Sequence, residues 1–128
     1  MSFLLDTSIL IPFRDGNIET IQLVETFGEY VFASVVSQVE LEGGVFRDPA
    51  TRVIRENGLA QILRGIKVLD FTPIEARAYG QIIAQAGYSR RKLIDRMIAA
   101  QAIVADATLV TLNPDDFADI QNLKVYSL

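Results

Sequence analysis

The chain opens on Phe3-Leu4-Leu5, a run with no polar residue in it, followed at once by Asp6-Thr7-Ser8. A strand with one wet face alternates apolar and polar side chains, whereas a strand covered by helices on both faces does not. The run therefore predicts a central parallel strand, and open sheets of such strands carry their working groups just beyond the carboxyl ends. Asp6 falls there. Asp-Thr-Ser after an apolar run also makes an ordinary helix cap, so its meaning depends on what the rest of the chain sets beside it.

Short apolar runs and helical stripes alternate from there on. Ile18, Ile21, Val24 and Phe27 recur at helical spacing before Gly28, which predicts a helix with all four in the core. Tyr30 to Ala33 predicts a second strand. Ser34 caps a helix over Val35 to Leu41, which Gly43-Gly44 either end or open to a close neighbour. Asp48-Pro49 predicts a helix start, with a fault at Gly58, an end near Gly65 and a stripe of Leu59, Ile62, Leu63 and Ile66. Lys67 to Phe71 predicts a third strand, and Thr72-Pro73-Ile74-Glu75 a capping box on a helix closed by Gly87. Tyr88-Ser89-Arg90-Arg91-Lys92 is the one basic cluster and precedes a helix over Leu93 to Ala105. Ala107 to Leu112 predicts a buried strand and Lys124-Val125-Tyr126 a last one at an edge. With no repeat or linker in its 128 residues, the chain is expected to form one domain over 1–128. That length suffices to hide roughly two-thirds of its unfolded surface.

The sequence contains neither cysteine nor histidine. That excludes disulfides, thiolate zinc sites, Ser-His triads and histidine general bases. Catalysis in this chain must lean on carboxylates, hydroxyls, amides, lysine and arginine. The 16 acidic and 12 basic residues argue against a broad phosphate-binding surface driven by net charge. Four carboxylates gathered around a divalent ion would leave the remaining charges balanced, so a nucleic-acid substrate is still open. No apolar run approaches the ~20 residues of a membrane span, and the opening Met-Ser-Phe lacks a basic secretion flank, so a cytoplasmic protein is expected.

Four acids, Asp6, Glu40, Asp95 and Asp116, each fall just after a predicted strand or in the first turns of a helix that follows one. Parallel strands joined by helical crossovers bring such positions to one edge of the sheet. Each acid also has a purely structural use. Glu40 completes a capping box with Ser37, Asp95 complements its helix dipole, and Pro114-Asp115-Asp116 makes a plain helix start. Together they suggest more, since four carboxylates in one cleft cannot all stay ionised without a cation. Oxygen-only ligation suits Mg2+ or Mn2+, and the natural reaction is phosphodiester hydrolysis without histidine.

Four blocks resemble the signature blocks of PIN-domain ribonucleases, above all the VapC toxins of bacterial type II toxin-antitoxin pairs. They are Leu5-Asp6-Thr7-Ser8, Ser34 to Leu41, Leu93 to Ala100 and Thr108 to Phe117. The resemblance spans nearly the whole chain with the blocks in order. It implies a three-layer α/β/α domain with a short parallel sheet, divalent-metal-dependent endoribonuclease activity, a homodimer, and a small cognate antitoxin that blocks the site. By motif position Asp6 and Asp95 are the firmest metal ligands and Glu40 completes the cluster. Asp116 matches the acid before the last aromatic, with Asp115 adjacent and able to substitute. Ser8 stands where the family often has asparagine, and Ser89-Arg90-Arg91-Lys92 replaces a more usual glycine-containing run.

Thr7, Ser8, Thr111 and Asn113 are expected to hold waters or orient the carboxylates, and Arg14, Arg90, Arg91 and Lys92 to contact RNA phosphates. Two rivals compete with this reading. A receiver-like phospho-acceptor domain needs an acidic pair near the first loop and a late lysine, and finds a single Asp6 and no lysine beside Thr111-Leu112-Asn113. A catalytically inactive binding module of the same fold is disfavoured because all four acidic positions are filled.

Overall fold

Leu4 and Leu5 are adjacent in sequence, so their side chains leave the strand on opposite faces, and both are completely buried. Only a strand covered on both sides can do this. The computed structural model, which describes all 128 residues, places that strand at the centre of a five-stranded parallel sheet. In chain order the strands are β1 (Phe3–Leu5), β2 (Val31–Ser34), β3 (Lys67–Leu69), β4 (Thr108–Thr111) and β5 (Val125–Ser127). They lie in the order β3-β2-β1-β4-β5. Leu4 pairs with Phe32 on one side and Leu109 on the other.

Six helices make the outer layers. Leu5 packs with residues of α1 (Thr7–Arg14), α2 (Ile18–Glu25), α3 (Val35–Val45) and α4 (Arg52–Gly65), among them Ile9, Leu10, Leu41, Val45, Leu59 and Ile62. Leu4 packs on the opposite face with residues of α5 (Pro73–Ala86) and α6 (Leu93–Val104), including Ile82, Ile98 and Ala102, together with Phe117 and Ile120. The result is the three-layer α/β/α arrangement expected. Each large apolar side chain moved from water into either layer contributes roughly 1.5–3 kcal/mol.

Local chemistry sets the element ends much as the sequence predicts. The side chain of Asn17 accepts from the Thr20 amide at 3.0 Å to start α2, and Ser34 accepts from the Val36 amide at 2.9 Å to start α3. Thr72 and Glu75 form the capping box of α5, and Gly87 ends it at φ 91°. Asp48 starts a 3-10 turn over Pro49–Thr51 that leads into α4.

Three expectations need correction. Of the α2 stripe only Val24 is fully buried, and Ile18 is 69% exposed, because an eight-residue helix at the rim turns one narrow face inward. In the α4 stripe Leu59, Ile62 and Ile66 are buried and Leu63 reaches solvent. Helix α3 runs through Gly43-Gly44 to Val45, whose buried side chain anchors an extra turn. Helix α4 carries no fault at Gly58. Gly44 and Gly58 both serve close approach to Arg14: a Cβ on the first would press on its guanidinium, and one on the second would collide with its backbone carbonyl.

This tight crossing yields a stability prediction. Gly58→Ala should lose about 2 kcal/mol or more by overpacking against Arg14, despite alanine's better helix propensity. Gly80→Ala in the middle of α5, where a methyl group meets nothing within 4 Å, should instead gain up to about 1 kcal/mol. Urea unfolding of the two variants checks the pair, and equal effects would contradict the packing described.

Candidate active site

The carboxyl end of β1 delivers Asp6 to the cap position of α1, yet its carboxylate accepts no capping bond from the helix backbone. It is 4% exposed and is held by hydroxyls instead. Ser8 and Thr111 each donate to Oδ2 at 2.8 Å. Each hydroxyl gives its one proton to the carboxylate oxygen and in turn accepts from the backbone. The Leu112 amide donates to Ser8 Oγ at 3.1 Å and the Asn113 amide to Thr111 Oγ1 at 2.9 Å. Asp6 is thereby fixed on one oxygen, with Oδ1 left without a protein donor.

Glu40 sits on the second turn of α3, where Ser34 and not Ser37 is the cap, so Glu40 plays no part in a capping box. Its Oε1 accepts from Thr7 Oγ1 at 2.9 Å. Thr7 has one proton to give, so the 2.8 Å contact with the buried Ser37 is a bond that Thr7 accepts. A chain of hydroxyls, Ser37 to Thr7 to Glu40, thus ties the exposed carboxylate to the start of α1. Nothing in the sequence pairs Ser37 with Thr7.

Asp95 lies in the first turn of α6, half-buried. That helix follows α5 rather than a strand, which corrects the strand-end rule as applied to this acid. Burial pushes the Asp95 carboxyl up from its ordinary 3.8 to about 6, reinforced by repulsion from Asp6, Asp116 and Glu40 and opposed by Lys92. The four acids therefore share one region, and it is Asp116, partly buried in the 3-10 turn Pro114–Phe117, whose charge bears on Asp95. Asp115 beside it is exposed.

The basic residues divide. Arg14 is buried at 4% exposure, paired with Asp15 at 2.9 Å and donating to the Leu41 carbonyl, so it is not free to hold a phosphate. Arg90 and Arg91 stand in solvent. Lys92 is partly buried and lies 3.7 Å from the Asp119 carboxylate. Asn113 enters the site through its backbone amide alone. Arg96 and Asp119, joined at 3.1 Å, were not singled out from the sequence. The signal was there: Arg96 precedes Ala99 and Ala100 on the buried side of α6 by three and four residues, a face where an arginine stands out.

The donor set is entirely oxygen, and burial together with the repulsion of its neighbours makes Asp95 hold its proton more tightly than a free carboxyl does. A divalent cation would remove that repulsion, and the residues present fit one. No three acids stand close enough together to form a ready-made cage. A hard ion held by one or two carboxylates and several waters suits such an open set.

A PIN domain family profile matches residues 3–123, and the chain belongs to that family. Within it the chain is similar to ribonuclease VapC1 of Rickettsia felis, 32% identical over 138 residues, with 100% of this chain and 97% of that protein covered. A chain of VapBC2 from Rickettsia felis, crystallised bound to a DNA fragment from their promoter, superposes with TM-score 0.85 at 25% identity, over 99% of this chain and 98% of that one. The fold is shared too with VapBC-5 from Mycobacterium tuberculosis, a member of the VapBC family of toxin-antitoxin systems, at TM-score 0.76 and 23% identity, over 99% and 98% of the two chains.

The crowding of carboxylates has a thermodynamic consequence. A carboxyl whose folded pKa exceeds its unfolded value binds its proton more tightly in the folded state, so stability falls as pH rises from 3.8 to about 6 and stays lower above that. Asp95→Asn should therefore raise the melting temperature of the metal-free protein at about pH 8, with the gain vanishing by about pH 3. Scanning calorimetry in chelator across that range checks the direction. A gain independent of pH would rule out the electrostatic cause.

Proposed function

We propose that the chain, as one PIN domain over residues 1–128, is a divalent-metal-dependent endoribonuclease and the toxin half of a toxin-antitoxin pair. The observation that carries this reading is the burial-raised Asp95 carboxyl under the joint repulsion of Asp6, Asp116 and Glu40. A cation site and a phosphodiester substrate explain why a fold would tolerate that arrangement. The similarity to ribonuclease VapC1 and the likeness to VapBC structures support the choice of RNA and of a small antitoxin as partner.

In this reading Asp6, Glu40, Asp95 and Asp116 surround Mg2+ or Mn2+, one or two of them as direct ligands and the others through its waters. Held there, the ion would supply an acidified water and would offset charge on the scissile phosphate, chemistry that needs no histidine. Ser8 and Thr111 aim the free oxygen of Asp6, and Thr7 sets the rotamer of Glu40. Arg90 and Arg91 meet backbone phosphates as RNA approaches the acidic cleft. The protein works as a homodimer in the cytoplasm, and no helix is long and apolar enough to cross a membrane.

Purified protein freed of antitoxin should cut RNA with Mg2+ or Mn2+ and stop on chelation. Asp6→Asn and Asp95→Asn should keep the parental circular dichroism and lose at least about a hundredfold in rate. Variants that cut as well as the parent would sink the assignment, and a parent that binds RNA without cutting would make the chain an inactive binding module instead.

A further inference from the structure

The segment that brings Asp116 to the site is a short 3-10 turn in an irregular stretch between β4 and β5, with no helix or strand of its own to hold it in place. Phe117 and Ile120 seat it in the core by their side chains. Gln85 of α5 donates to the Asp119 carbonyl and accepts from the Gln121 amide. The Gln85 tie runs to α5, and Phe117 and Ile120 meet α6 only through the apolar cluster they share with Ile94, Ile98 and Ala102. Asp119 adds the polar tie, to the residue beside Asp95. Its Oδ2 accepts from Arg96 Nη2 at 3.1 Å and lies 3.7 Å from Lys92 Nζ.

Arg96 is an expensive way to make this contact. Its side chain is 3% exposed, and both Nε and Nη1 are buried without a partner. Buried guanidiniums are ordinarily satisfied on every donor, and an apolar side chain of similar volume commonly gives a more stable fold. The pair is worth more as a position than as an energy: Arg96 follows Asp95 by one residue, and Asp119 follows Asp116 by three.

We propose that the Arg96–Asp119 ion pair is a clamp that fixes the spacing of Asp95 and Asp116, and that these are positioning residues for the divalent cation. This rests on the metal-dependent reading above. Locking the turn to the helix pre-orders two ligands that come from separate elements, so the cation does not have to order them itself. The unpaired nitrogens are then the cost of a group kept for geometry.

Arg96→Met separates this from plain electrostatics. Removing a positive charge beside Asp95 should tighten cation binding if only charge matters, whereas loss of the clamp should weaken it. The expected result, by titration calorimetry with Mn2+ and no RNA present, is a dissociation constant about tenfold higher with a melting temperature equal to or above the parent's. Asp119→Asn, at a position 40% exposed, should show a similar loss that persists in high salt, where a charge effect would be screened. Gln85→Ala should lower the melting temperature and leave Mn2+ affinity unchanged. Parental or tighter Mn2+ binding by Arg96→Met overturns the clamp, as does a loss in Asp119→Asn that salt abolishes or one that Gln85→Ala matches. If the parent binds Mn2+ and Asp95→Asn does not, the metal reading stands whatever the clamp variants do. If the parent fails to bind Mn2+, both fall.

Discussion

A carboxyl group almost entirely removed from water, Asp6, sits at the end of the central strand, and the sheet edge around it supplies the hydrogen bonds that hold it there. An isolated buried carboxylate is far too costly to hold. Two hydroxyl bonds on one oxygen offset that cost, and hydrogen bonds to an ionised acceptor are about twice as strong as neutral ones. One donor comes from the next turn of chain and the other from β4, so the bond that tames the charge also joins the start of the molecule to its last buried strand. The backbone amides after β4 hold the two hydroxyls in turn, and the chemistry of the site is continuous with the hydrogen bonding of the fold.

Around that fixed point the remaining acids are graded by how firmly the protein holds them. Glu40 is exposed and reached by a relay of two hydroxyls. Asp95 is half-buried and unbonded, and carries the burden of the common repulsion. Asp116 rides on a turn. A site made this way is rigid at Asp6 and adjustable elsewhere, which suits a small ion that keeps part of its water and takes its ligands one or two at a time.

The central strand, the layer order and the acids were readable because each depends on short-range pattern: apolar runs without alternation, caps with a defined chemistry, glycine after a helix. What escaped reading depends on partners far away in sequence. Arg14 follows Phe13 and looks like a surface cation, and it is buried only because Gly44 and Gly58 leave room for it. Ser37 looked like a cap because three residues later there is a glutamate; in space its neighbour is Thr7. Ile18 obeyed the helical period, which fixes the direction of a side chain but not whether anything covers it. Asp95 was placed in the right region through a rule its own helix does not follow.

The last buried strand has a consequence for the order of events in a cell. Thr111, which restrains Asp6, and Asp116 both belong to the closing part of the polypeptide, and β1 gains one of its two neighbours only when β4 docks. Pairings this distant in sequence form late. A chain still emerging from the ribosome has its first acid but neither the hydroxyl that steadies it nor its last acidic companion. The acidic cluster is therefore assembled only once the chain through Asp116 is free to fold, and a copy cut short of β4 carries Asp6 on a sheet edge that lacks its partners.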